Sequence, residues 1–306
     1  MEVSFSKYSG CGNDFIIIDN RRICQSFSKE VIRRLCHRSL GIGADGIILL
    51  ENPVSSKAFY RMRIFNSDGS KAEMCGNGIR CLAHYIHSSE DSGDHFEIET
   101  MHHLLKVSFP NLKKPDSELI CVAMPPPSAI TYKKILINKR EIPLYCLDTG
   151  VPHAVYFTES IESQDFLSLA PLIRMHPEFQ PRGTNVNFVQ ILSADSIIIR
   201  TYERGVENET LACGTGAAAS AIASVYAFSL NLETPIPDNK GIQDSKSKDC
   251  LSLLPLTAFS RLKTPVKVHV RSNDYLFINF QIKRNFFSEL TMAGPAIKIF
   301  DGKVLV

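Results

Sequence analysis

Two cysteines stand where a thiol can act on a proton. Cys75 lies in Cys75-Gly76-Asn77-Gly78, directly before apolar residues at helical spacing: Ile79, Leu82, Ala83 and Ile86. Cys213 lies in Cys213-Gly214-Thr215-Gly216, before a helix of small apolar residues that ends near Leu230. A thiol at the mouth of a helix sits beside backbone N–H groups that the helix itself does not bond, at the positive end of its dipole. That setting lowers a thiol's pKa and offers a seat for a carboxylate. One such thiol on each face of a substrate carbon can take a proton from one side and deliver a proton to the other. Taken singly, either cysteine reads more often as a small buried residue, and its glycines as a turn. The repetition favours chemistry.

The elements that must position these thiols are repeated too. A strand, Tyr60 to Phe65, enters a turn built from Asn66, Asp68 and Gly69. A second strand, Ile197 to Tyr202, enters another polar turn. The Cys-Gly-x-Gly unit begins ten residues beyond Phe65 in the first copy and eleven beyond Tyr202 in the second. This predicts two similar halves facing one another across a cleft. At 306 residues the chain is comfortable as two domains of roughly 150. Ser28 caps a helix expected to run through Arg38, and a second helix is expected over Asp165 to Met175. The loop Arg182 to Phe188, with Asn185 and Asn187, reads as a mirror of the asparagine-bearing entry Gly12-Asn13-Asp14-Phe15. The polar stretch 111–118 marks a domain boundary near 118. Residues 231–263 read as a mobile insertion, and Met292-Ala293-Gly294-Pro295 as the start of the last strand.

Composition excludes several classes. A formal net charge of +2 argues against nucleic acid or an anionic membrane as partner. No apolar run is long and clean enough to span a bilayer. Nine cysteines without a secretion pattern point to free thiols in a reducing compartment, the cytoplasm. No CxxC and no Cys/His cluster has zinc spacing, so no metal site is expected. Gly41 to Gly46 is glycine-rich, but it is neither a Walker A loop nor a dinucleotide fingerprint.

The ordered set GNDF, GIGADG, FNSDGS, MCGNGIRC, TGVPHAV, RGTNVNFV, YERG and ACGTGA resembles the diaminopimelate epimerases. The likeness runs from residue 3 to about 230 and resumes near 265. It implies an α+β or α/β fold of two pseudo-symmetric halves. Each is a curled, barrel-like mixed sheet around a central helix, with the active site in the interdomain cleft and the last strand returning to the first half. Domains of 1–118 plus 295–306 and of 119–294 follow. It also implies an isomerase with no cofactor, pyridoxal phosphate included. That enzyme would interconvert LL- and meso-diaminopimelate for lysine and, in bacteria, peptidoglycan. The resemblance carries the catalytic pair onto Cys75 and Cys213. The helix termini that clasp the reacting carboxylate fall on Gly76, Asn77, Gly214 and Thr215. Substrate recognition falls on Asn13, Asn66, Asn185, Glu203 and Arg204, and tuning of the thiols on His153 and Glu203. Without the motifs, Glu203 and Arg204 would read as a surface ion pair and His153 as a core histidine.

Val151 departs from the family, which usually has asparagine there. An apolar residue at that place leaves one polar contact to the far end of the substrate unmade, so specificity is open to relaxation. Gly46 offers no side chain, as in many members. Two other readings stand beside the first: a cofactor-independent racemase of a smaller amino acid such as glutamate, and a non-catalytic redox or metal-binding thiol protein. A small-molecule amino acid is the expected partner, and a homodimer is compatible with everything above.

Overall fold

A computed structural model describes residues 1–72, 75–110, 119–162, 165–230, 264–283 and 286–306. The expected boundary stretch 111–118 and the expected insertion 231–263 lie outside the described residues. The chain divides into two compact units: 1–125 with 272–275 and 291–306, and 126–271 with 276–290.

The first unit takes its elements in the order β1 (Glu2–Gly10), β2 (Asn13–Asp19), α1 (Lys29–Cys36), β3 (Gly46–Glu51), β4 (Tyr60–Asn66), β5 (Lys71–Ala72), α2 (Gly76–Ser89), β6 (His95–Glu99), β7 (Leu104–Ser108) and β8 (Ile120–Ala123). The second contributes β9 (Thr131–Ile137), β10 (Arg140–Asp148), β11 (Pro152–Phe157), α3 (Asp165–Met175), β12 (Asn185–Ser193), β13 (Ser196–Glu203), β14 (Asn208–Thr210), α4 (Gly214–Leu230) and β15 (Val266–His269). The chain closes with β16 (Tyr275–Lys283), β17 (Phe286–Gly294) and β18 (Ile297–Leu305). Ser28 caps α1 as expected, its hydroxyl accepting from the Val31 N–H at 3.3 Å. The last strand starts at Ile297, because Met292 to Gly294 pair with β8 as the end of β17.

The internal repeat is written in the pairing pattern. In the first unit β18, β1, β2, β3, β4 and β6 lie side by side; β2/β3 and β4/β6 are parallel and the other pairs antiparallel. In the second unit β9, β10, β11, β12, β13 and β15 repeat the same senses in the same places. Short β5 pairs with β4 as β14 does with β13. The helix before β3 corresponds to the helix before β12, and α2 to α4. This correspondence corrects one reading of the sequence. The counterpart of β12, with Asn185 and Asn187, is β3, which opens on Gly46. Asn13 at the start of β2 answers instead to the start of β11, where His153 sits.

Each central helix is held by burial. In α2, Ile79, Leu82, Ala83 and Ile86 pack into a core with Tyr8, Phe15, Ile48, Ile64, Phe96 and Val122. Burying each large apolar side chain stabilises the unit by about 1.5–3 kcal/mol. In α4, Ala217, Ala218, Ala219, Ser220, Ala221, Ile222, Ala223 and Ser224 are all buried. A helix buried on every side belongs inside its sheet. Alanine and serine keep it thin enough for β10, β11, β12, β13 and β15 to reach it.

Candidate active site

In the first unit, the register of the sheet gathers one polar edge. Phe15 in β2 pairs with Gly46 at the start of β3, and Gly46 pairs with Asn66 at the end of β4. Asn13 opens β2 at the same edge, and β5 leads from there to Cys75. Cys75 is the N-cap of α2. Its backbone is extended and its Sγ accepts the Gly78 N–H at 3.4 Å, the place a serine or aspartate oxygen usually fills. Gly78 fits closely there: a Cβ would lie 3.1 Å from the Ile48 side chain and 3.2 Å from that of Ile64, so those side chains would have to give way. The Cys75 thiol also faces the Asn13 amide oxygen at 3.8 Å. That amide is aimed by Asp45, whose Oδ2 accepts from Asn13 Nδ2 at 2.7 Å. Asp45 is held in turn by Arg38, which grips Asp14 with two bonds. Burial works to raise the Asp14 pKa, but the Arg38 and Lys7 contacts and the Asp45 N–H prevail and bring it down to about 2. The Asn66 Nδ2 donates to Ser70 Oγ at 2.9 Å.

Arg80, one turn along α2, was not singled out from the sequence. It is fully buried, and its guanidinium donates to the carbonyls of Pro295 and Gly76, the Asn77 amide oxygen and the sulfurs of Cys11 and Met292. No carboxylate pairs with it among the described residues. It therefore adds positive potential to the helix turn that Cys75 caps.

In the second unit His153 pairs with Asn185, and the neighbouring Val186 pairs with Tyr202, which places Glu203 and Arg204 beside them. The Asn185 amide oxygen accepts the Arg204 N–H at 2.8 Å, so Asn185 fixes the turn that carries Arg204. The Arg204 guanidinium bonds the Arg182 carbonyl at 2.8 Å, and no carboxylate pairs with it among the described residues. Glu203 accepts from Thr210 Oγ1 at 2.6 Å and from the Cys213 thiol. Burial pushes the Glu203 carboxyl up.

The helix mouth was expected to lower a thiol's pKa, and for Cys213 the structure shows the opposite. Burial, then the adjacent Glu203 charge, push this thiol well above the usual range, overriding the lowering contacts from Thr215 and the Gly216 N–H. Cys213 thus keeps its proton and shares it with Glu203. His153 is also buried, and burial, reinforced by the nearby Arg204 charge, pulls its pKa down from 6.5 to about 3. The imidazole is neutral. Its Nε2 lies 3.0 Å from Thr215 Oγ1, which lies 3.4 Å from the Cys213 sulfur.

This imidazole makes a testable contribution to stability. Between pH 6.5 and about 3 the unfolded chain binds a proton at His153 and the folded chain does not. The contribution is therefore fully present above pH 6.5 and is lost as pH falls through that window. Between pH 7 and pH 4, wild type should lose about 3 kcal/mol more unfolding free energy than His153→Gln. Equal losses in denaturant titrations at the two pH values contradict it.

The eight described cysteines are all unbridged. Among the described residues no group of three or more His, Cys, Asp and Glu could hold a metal ion, and no helix is long and apolar enough to cross a membrane.

The duplicated mixed sheet, each copy around a central helix, recurs in solved structures. A PhzF-family phenazine biosynthesis protein from Bacillus anthracis superposes with a TM-score of 0.64 at 13% identity, each chain covered in full. A hydroxyproline epimerase from Agrobacterium vitis superposes with a TM-score of 0.64 at 13% identity, over 99% of this chain and 92% of that one. These likenesses show the fold. The sequence profile of the diaminopimelate epimerase family matches residues 5–128 and 145–237. The diaminopimelate epimerase of Aquifex aeolicus is 37% identical over 99% of this chain and 98% of its own length. That of Halothermothrix orenii is 34% identical over 100% and 99%. The chain belongs to the diaminopimelate epimerase family.

Proposed function

We propose that the chain interconverts LL- and meso-diaminopimelate without a cofactor, using Cys75 and Cys213 as a base and an acid. The observation that carries this reading is the topological equivalence of α2 and α4, each preceded by a cysteine that takes up the N–H three residues on. The first turns of the two helices, at Gly76-Asn77 and Gly214-Thr215, seat the reacting carboxylate and favour the negative charge that develops on it. In this reading Cys213, whose thiol burial and Glu203 hold in the protonated form, is the proton donor. The Cys75 thiolate accepts the Cα proton, the electron pair remains on Cα and its carboxylate, and the Cys213 thiol protonates the opposite face. The turnover ends with Cys75 as thiol and Cys213 as thiolate, and the reverse reaction exchanges the roles. Arg204 grips the distal carboxylate, Glu203 accepts from the distal ammonium, and Asn13, Asn66 and Asn185 orient the chain between.

Relaxed specificity is a second reading, favoured by Val151, which is half-buried directly before β11. The test is exchange of Cα–H for solvent deuterium over LL-diaminopimelate, L-glutamate, L-aspartate, L-proline and L-lysine. Exchange should be fastest with diaminopimelate and slower with glutamate. Val151→Asn restores a donor to the distal group, so it should raise kcat/KM for diaminopimelate over glutamate by about tenfold. Exchange on diaminopimelate alone contradicts the relaxed reading; exchange on none of the panel contradicts the enzyme. We place the protein in the cytoplasm, in keeping with its unbridged cysteines. We also propose that it pairs with a second copy. The exposed Ile297, Ile299, Phe300 and Leu305 of β18 support that pairing, and sedimentation tests it.

A further inference from the structure

Asn187 is fully buried and has no place in the chemistry above. It lies two residues beyond Asn185 in β12, hence on the same face of the strand. Its amide oxygen accepts from Thr201 Oγ1 at 3.0 Å, and its amide nitrogen lies 2.9 Å from His153 Nδ1. An amide nitrogen only donates, so His153 Nδ1 must be the bare, accepting nitrogen, and Nε2 carries the proton. Nε2–H then donates to Thr215 Oγ1, leaving the Thr215 hydroxyl proton to point at the Cys213 sulfur.

The structure assigns Asn187 as the positioning residue that fixes the tautomer of His153, so that a row of donors from Thr201 through Asn187, His153 and Thr215 ends on the Cys213 sulfur. This rests on the reading of Cys213 as a proton-transfer group. Glu203, on the adjoining strand β13, accepts a hydrogen bond from the Cys213 thiol, and the Thr215 hydroxyl donates to the sulfur once the thiol proton has gone to the substrate carbon. The row thus supports the thiolate left after turnover without placing a full positive charge beside it. Arg204 is the charged group that acts on His153, and it opposes an imidazolium. Gly216 is part of the device. A Cβ there would meet the Asn187 amide oxygen at 2.4 Å, so only glycine lets the start of α4 come this close to the amide.

The experiment has two arms on the full chain. The first needs no turnover: nitrogen-15 NMR of histidine-labelled protein, with His153→Gln identifying the resonances. In wild type at pH 7, His153 should show a proton on Nε2 and a bare Nδ1. In Asn187→Asp, where the nearly isosteric carboxylate only accepts, the proton should appear on Nδ1. A wild-type proton on Nδ1, or a bare Nδ1 in the aspartate variant, overturns the assignment whatever the protein catalyses. The second arm is a double-mutant cycle on Cα–H exchange of diaminopimelate. Asn187→Ala and Thr215→Val should each lower kcat about tenfold, Asn187→Ala leaving KM within about twofold. The double variant should lose little more than either single one, because both cut the same row. Full additivity, or a change confined to KM, overturns the assignment. Absence of exchange in wild type instead counts against the enzymatic reading alone, with the first arm still deciding the role of Asn187.

Discussion

Cys75→Ala and Cys213→Ala should each abolish interconversion, with kcat falling by at least about a thousandfold. The reason lies in the geometry of inversion. A single base can remove the Cα proton and return it to the same face, but delivery to the opposite face needs a second donor. In the proposed mechanism, removing either thiol therefore removes one of the two proton transfers. Both variants should also lose some stability. Cys75 caps α2 through its sulfur, so Cys75→Ala should cost about 1 kcal/mol of unfolding free energy. Cys213→Ala likewise removes the sulfur that takes up the Gly216 N–H, and it also removes a partner of the buried Glu203, so it should cost at least as much. Because the thiols act as a unit, the double variant should be scarcely slower than either single one. Near-normal epimerisation by either alanine variant would end the two-thiol account. Loss of activity with loss of fold is separated from it by the near-UV circular dichroism of each variant.

The second large effect is expected at Arg204. Among the described residues its guanidinium bonds the Arg182 carbonyl and no carboxylate, so a fork of donors stands ready for a carboxylate. Two charge-assisted bonds contribute about 3–5 kcal/mol between them, which predicts that Arg204→Ala lowers kcat/KM for diaminopimelate by roughly a hundred- to several-thousandfold. Arg204→Lys should recover part of this, since an ammonium keeps the charge but loses the planar fork. Exchange on any substrate that lacks a distal carboxylate should be almost untouched. If Arg204→Ala slows exchange of such a substrate equally, the arginine supports the turn and does not read the carboxylate.

Much of this was legible because it is local. A cysteine followed by Gly-x-Gly and apolar residues at helical spacing declares a capped helix within about twelve residues, and α2 and α4 both begin where that pattern places them. The duplication was legible for the same reason. What escaped depends on pairing between distant strands. Asn-rich loops near Asn13 and Asn185 look like copies by composition, yet strand senses equate Asn185 with Gly46. Met292 was read as opening the last strand, since a following proline resembles a turn and only the register with β8 shows the strand ending there. Asn187 carried a signal in the period of two from Asn185, which sets both amides on one face. Arg80 carried one in its spacing of four from Gly76 along a helix whose other inward residues, Asn77 aside, are apolar. The Cys213 pKa could not be read at all. The helix end is visible in sequence, but the depth of burial and the carboxylate brought in by β13 are properties of the folded unit, and they win.

The central claim is that the proton removed and the proton delivered belong to different thiols. Its most direct test is the first turnover in deuterated water, starting from protiated LL-diaminopimelate and following both stereoisomers by mass spectrometry. With two thiols, meso product formed at early times carries solvent deuterium at the inverted Cα, while remaining LL substrate stays protiated. A single base shuttling one proton between faces would instead return the substrate's own protium to the product, and an appreciable share of protiated meso product in the first turnovers would contradict the account.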